Sequence, residues 1–123
     1  MVRMLPEEIV KAYSATGLIP IRMAWTTTDR RGGCALDALA KSRGCSVDTL
    51  RGLLDEHYEA GFLAAWDADD PNDPEIIEVL KSRATIVKRG YADGILCRRA
   101  VERAFDSGLV PVHDNVDSPV DEA

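Results

Sequence analysis

The sequence predicts an all-α fold: one helical domain over residues 1–112, with four to five helices and a long last one spanning about 74–106, followed by an acidic, flexible tail over 113–123. Three observations carry that expectation. Apolar residues recur at spacings of three and four along most of the chain, which stacks them on one face of a helix. Proline and glycine punctuate these stretches at positions suited to helix starts and stops. Alternation with period two occurs once, so at most one short extended segment is expected, near 21–27.

The first helix begins at Pro6, whose fixed φ suits a first helical position, and Glu7 and Glu8 follow at its positive end. Leu5, Ile9, Val10 and Tyr13 form its apolar face. Gly17 ends it, since glycine takes a left-handed conformation without a Cβ penalty, and Pro20 prevents continuation. The pattern Gly-Leu-x-Pro recurs at 108–111 as a second, convergent helix end. "IRMAWTTT" (21–28) supplies the period-two stretch, and "DRRGG" reads as a loop. "CALDALAKSRG" (34–44) is a short helix stopped by Gly44. Ser46 caps the next helix, in which Leu50, Leu54, His57, Tyr58, Gly61, Phe62, Ala65 and Trp66 share a face, with Gly52 as a weak point. After a break at 67–73, Asp73 and Pro74 restart a helix. Its seam runs Ile77, Leu80, Ala84, Val87, Tyr91, Gly94, Arg98, Val101 and Phe105, with a bend expected near 85–90.

The 123 residues suffice for an ordinary core without a metal or disulfide staple. No apolar run is long enough to span a membrane, and Glu7 and Glu8 interrupt any signal-peptide pattern, so the chain reads as cytoplasmic. Three cysteines, Cys34, Cys45 and Cys97, form no CxxC and read as reduced, buried thiols. The net charge of −6 is strongly blocked. Residues 1–45 carry +3, 46–78 carry −9, 79–105 carry +5 and 106–123 carry −5. Such blocks attract one another within a molecule or between copies.

Several motifs bear on function. Asp67, Asp69, Asp73, Glu75 and Glu78 have a calcium-loop rhythm, but Pro71 and Asn72 replace a ligand and the turn glycine, so a polar turn is expected. Residues 34–66 have helix-turn-helix grammar. Within and after them, "LLDEHYEAGFLAAWDADDPND" resembles the helix and wing of winged-helix regulators such as the MarR-type repressors, which would imply DNA binding. The acidic balance of this segment argues against phosphate contact, so a DNA partner is not the favoured reading. "YEAGFL" (58–63) and "YADGIL" (91–96) each place a tyrosine and a glycine three residues apart on one face. Their simplest meaning is two helices crossing near Gly61 and Gly94, and the alternative is a ligand niche. Arg99 and Arg103 share a face that suits an anion or acidic partner, while Arg98 sits in the seam, where a carboxylate such as Asp37 or Asp55 could meet it. His57 and His113 are the only histidines, and no nucleophile motif, phosphate loop or metal-ligand spacing accompanies them. No cofactor, metal or catalytic residue is expected.

The favoured expectation is a non-catalytic protein that acts by association, as a homodimer. A continuous seam of this length would outrun its own domain, leaving Val87, Tyr91, Ile95 and Val101 at the interface. A helix-turn-helix DNA-binding regulator is the first alternative. A small-molecule binder using the Tyr58/Gly61 and Tyr91/Gly94 helices is the second.

Overall fold

The structure, a computed structural model, describes residues 2–106. The acidic tail, the second Gly-Leu-x-Pro and His113 lie outside the described residues. The fold is all-α with a long C-terminal helix. In order the elements are α1 (Pro6–Thr16), β1 (Ile19–Pro20), β2 (Gly32–Gly33), α2 (Ala35–Ser42), α3 (Val47–Leu53), α4 (Glu56–Asp67), α5 (Pro74–Leu80) and α6 (Thr85–Asp106).

Among the described residues six helices stand where four to five were expected, because two stretches are cut. Leu50 and Tyr58 do not share one helix. Asp55 accepts hydrogen bonds from the backbone N–H groups of His57 and Tyr58 and so caps a new helix, with Leu54 extended before it. The long last helix begins at Thr85 rather than Pro74. Lys81, Ser82 and Arg83 close tight turns back to Glu78, Val79 and Leu80, and the Ser82 hydroxyl takes the Val79 carbonyl at 2.9 Å. Thr85, Ile86 and Val87, all β-branched, lower helix propensity just beyond. The discontinuity therefore falls at 81–84, ahead of the expected bend.

The period-two stretch is not a strand. β1 pairs in parallel with β2, Ile19 opposite Gly32 and Pro20 opposite Gly33, and Thr26 bridges Gly33. Ile21 is fully buried, but Met23 turns left-handed (φ 67°) and leaves its side chain 67 % exposed. Three contacts with the end of α4 hold this loop. Trp66 Nε1–H donates to the Ile21 carbonyl (2.8 Å), Arg22 donates to the Ala68 carbonyl, and Asp67 accepts the Met23 N–H (2.8 Å). A wing does not follow α4 either. The chain passes through a turn, where Asp70 accepts the Asn72 N–H, directly into α5, capped by Asp73.

The core forms where α1, α2, α4 and α6 meet. Tyr58, Phe62 and Trp66 repeat every four residues along α4 and lie ring beside ring, with centroids 6.5 and 6.3 Å apart. Tyr13 continues the stack against Trp66 and meets Phe105 edge-on. Met4, Ile9, Leu36, Leu50 and Val101 fill the space around them. As expected of a helix end, Gly17 (φ 71°) closes α1 and donates its N–H to the Tyr13 carbonyl.

Candidate binding surface

α4 and α6 cross with backbone against backbone. An added Cβ on Gly61 would collide with the Val87 carbonyl, and one on Gly90 with the Tyr58 carbonyl. At Gly94 it would lie 2.6 Å from the Phe62 carbonyl oxygen and 2.8 Å from Ala65 Cβ. Gly61 and Gly94 thus mark the crossing, and Gly90, overlooked in the sequence, completes it. Because Tyr58 lies against Gly90 and Phe62 against Gly94, the two helices run in the same direction.

The two tyrosines do not face a common niche. Tyr58 is fully buried; its hydroxyl accepts the Met4 N–H (2.9 Å) and donates to Asp93 (2.5 Å). Arg3 grips the same carboxylate with two hydrogen bonds, of 2.9 and 2.8 Å. Burial alone would raise the Asp93 pKa, but the Arg3 and Tyr58 hydrogen bonds outweigh it and hold the carboxyl below its ordinary range. Burial, and then the bond to Asp93, pushes the Tyr58 phenol above its ordinary value. Tyr91 is buried at the other side and donates to the Pro71 carbonyl (2.6 Å), tying α6 to the turn after α4.

Of the residues expected at a dimer interface, Val101 is fully buried in its own core and Tyr91 nearly so, so neither is available to a second copy. Val87 and Ile95 are half-buried. From Tyr91 to Val101 the seam packs largely within its own chain, whereas Ile77 stays 39 % exposed and Ala84 exposed at its start. Arg98, meanwhile, meets neither Asp37 nor Asp55. It is 7 % exposed and donates to the carbonyls of Ala65 (3.1 Å), Ala68 and Asp69 (3.4 Å) at the open end of α4, with Glu102 beside it at 3.6 Å. A guanidinium there satisfies carbonyls that the helix leaves unpaired and complements the negative end of its dipole. Burial, then the closeness of the Arg98 guanidinium, lowers the Arg22 pKa at the same cap.

Among the described residues, two surfaces of α4, α5 and α6 bear on association. The first is the outer stripe of α6: Lys88, Ala92, Leu96, Arg99 and Arg103, all exposed and spaced by four, four, three and four. Leu96 is 50 % exposed, and Ile77 of α5, 39 % exposed, borders the same face near Lys88, Ala92 and Ile95. Arg99 reaches the Asn72 side chain at 3.3 Å. The second surface is a groove of about 590 Å³ between α4, α5 and α6, with His57, Ala60, Gly61 and Ala64 on one wall and Ile76, Val79 and Leu80 on the other. α5 has no buried residue: Ile76 and Leu80 rest half-covered toward the body, while Ile77 and Val79 show on opposite flanks.

The other sequence candidates are occupied structurally. Arg51, the one cation of α3, pairs with Glu59 (3.0 Å to each oxygen) and sits 5.0 Å from the Trp25 ring centroid. Asp67, Asp70 and Asp73 accept backbone N–H groups, and among the described residues no cluster of three metal-ligating side chains forms. Cys34 and Cys97 are buried and Cys45 is half-buried, all as free thiols. No helix among the described residues is long and apolar enough to cross a membrane. No protein-family model, curated protein or solved structure matches the chain.

Proposed function

We propose that the protein is a non-catalytic association module whose α6 stripe receives an acidic, amphipathic segment of a protein partner. The observation that carries this is the stripe itself: three cations and an exposed leucine on one helical face, with no carboxylate in the series. Lys88 to Arg103 spans 15 residue steps, about 22 Å at 1.5 Å per residue, which matches four turns of a partner helix. Apolar contact at Ala92, Leu96 and Ile77 would supply affinity, and the flanking cations would set register and choice of partner.

Charge decides between classes of partner. A short acidic segment feels the local cations, because screening confines the field to about 8 Å at physiological salt. A membrane or a DNA duplex is extended and would also meet the −9 block of residues 46–78. A symmetric dimer through the stripe would set cation against cation. A second copy fits only if it offers its acidic block.

The test uses a synthetic leucine–glutamate amphipathic peptide titrated into the full chain. Saturable binding that weakens with salt and is lost in the double variant Arg99→Glu/Arg103→Glu supports the reading. Binding unchanged by that variant overturns it. So does a random-sequence DNA duplex that binds at least as tightly as the peptide. Sedimentation equilibrium reads the second-copy case: growth above 13.5 kDa that the same variant abolishes identifies the acidic partner as the chain itself.

A further inference from the structure

We infer that the groove between α4, α5 and α6 binds a linear amphiphile with an anionic head, of the fatty carboxylate class. This rests on the Val79 flank of α5, not on the α6 stripe. The groove's volume, about 590 Å³, lies within the roughly 300–1,000 Å³ of small-molecule sites and is small for a docked helix. Its walls are unlike. On α4, Ala60, Gly61 and Ala64 present almost no side chain, leaving a smooth channel floor. On α5, branched aliphatic Val79 lines it and is 55 % exposed, so a hydrocarbon chain entering the groove would cover apolar surface that the protein leaves in water.

The groove also has a direction. α4 and α6 run parallel, so His57 at the start of α4 and Arg83 just before α6 stand at the same end. The Arg83 side chain makes no hydrogen bond or ion pair among the described residues. Glu75, at the start of α5, stands at the opposite end, because α5 runs back along the pair. A carboxylate head is attracted at the Arg83 end and repelled at the Glu75 end, which orients the chain along the channel. Guanidinium presents a planar fork of donors that matches a carboxylate.

The experiment is calorimetric titration of decanoate, below its micelle concentration, into the full chain, with decyltrimethylammonium as the head-group control. Expected are saturable one-to-one binding of decanoate, several-fold weakening in Arg83→Glu, and loss in Ala64→Trp, which fills the channel from an exposed position. Val79→Asp, also exposed, gives the same loss by polarity and serves if Ala64→Trp fails to fold, with melting curves reporting the fold of each variant. The proposal is overturned if decanoate shows no saturable binding, if both channel variants fold and bind it normally, or if the ammonium amphiphile binds as tightly.

Discussion

The Tyr58 hydroxyl donates to the Asp93 carboxylate at 2.5 Å, joining α4 to α6, while the same oxygen accepts the Met4 N–H and Arg3 holds Asp93 from the other side. The N-terminal segment is thereby fastened to the two central helices. Tyr58→Phe leaves the ring in place but strands the Met4 N–H and removes a bond to a charged acceptor. It is expected to cost about 1.5–3 kcal/mol in urea denaturation. A change below about 0.5 kcal/mol would show that the network contributes no net stability.

Acid should reveal two carboxylates of opposite sign. Asp93 has a folded pKa below its unfolded one, so its contribution is complete above the ordinary carboxylate value, about 3.9, and is lost as pH falls through the folded value. Asp67 is raised, chiefly by burial, so its ionisation costs stability as pH rises from about 3.9 through the folded value. Comparing stability-versus-pH curves with wild type, Asp93→Asn should flatten the acid-side loss and Asp67→Asn should steepen it. Identical curves for all three would contradict both assignments.

Gly61, Gly90 and Gly94 should each be intolerant of alanine, at a cost of about 1–3 kcal/mol through overpacking. Gly52, where an added Cβ meets nothing within 4 Å, is the internal control. There alanine should stabilise α3 by about 0.5–1 kcal/mol. If Gly90→Ala and Gly52→Ala behave alike in denaturant, the backbone crossing is not as described.

Much of the fold was legible from local chemistry. Pro6, Gly17, Ser46, Asp73 and Pro74 act through their own backbone neighbourhood, and each stands at the helix end expected of it. The two breaks were harder to see because they depend on competition. Asp55 as a cap outweighs a continuous apolar face, and Ser82 captures a carbonyl where the seam pattern would carry a helix onward. Tertiary partners were invisible for the same reason: Arg98 in a seam called for a carboxylate, but the nearest need was an open helix end brought there by the fold. The candidate site suffered most. Val101 and Tyr91 were apolar at the right spacing for an interface and for a core alike, and spacing does not distinguish the two. Arg99 and Arg103 do share an exposed face, as their spacing predicts, because exposed faces keep their sequence period.

Arg98→Ala should therefore destabilise on the order of 2–3 kcal/mol, since it leaves the buried Ala65 carbonyl without this donor and only Arg22 on the Ala68 carbonyl. Arg98→Lys should recover only part of that, because an ammonium cannot reproduce the planar fork. Arg103→Ala, on the solvent face, should stay within about 0.5 kcal/mol. Thermal melts of the three variants check the ranking, and equal losses at 98 and 103 would refute the capping role.

Cysteine labelling gives an independent reading of the core. Burial pushes the Cys34 and Cys97 thiols up to about 12, and Cys97 donates to the Met4 carbonyl at 3.3 Å. In native protein at pH 8, half-buried Cys45 should react first with a disulfide reagent, and the other two should react only once denaturant opens the core. Three equal, fast reactions would be incompatible with this packing.

At Gly61, Gly90 and Gly94 the α4–α6 crossing is backbone against backbone, so these three positions offer no side chain that could change rotamer to absorb a displacement. The crossing therefore serves as a fulcrum rather than a bearing. Any rearrangement of α5 that opens or closes the channel must be taken up at its two short tethers, 68–73 and 81–84. The Tyr91–Pro71 hydrogen bond sits on the first tether, and Ser82 on the second, so such a motion would be leveraged from two small points rather than spread through the core.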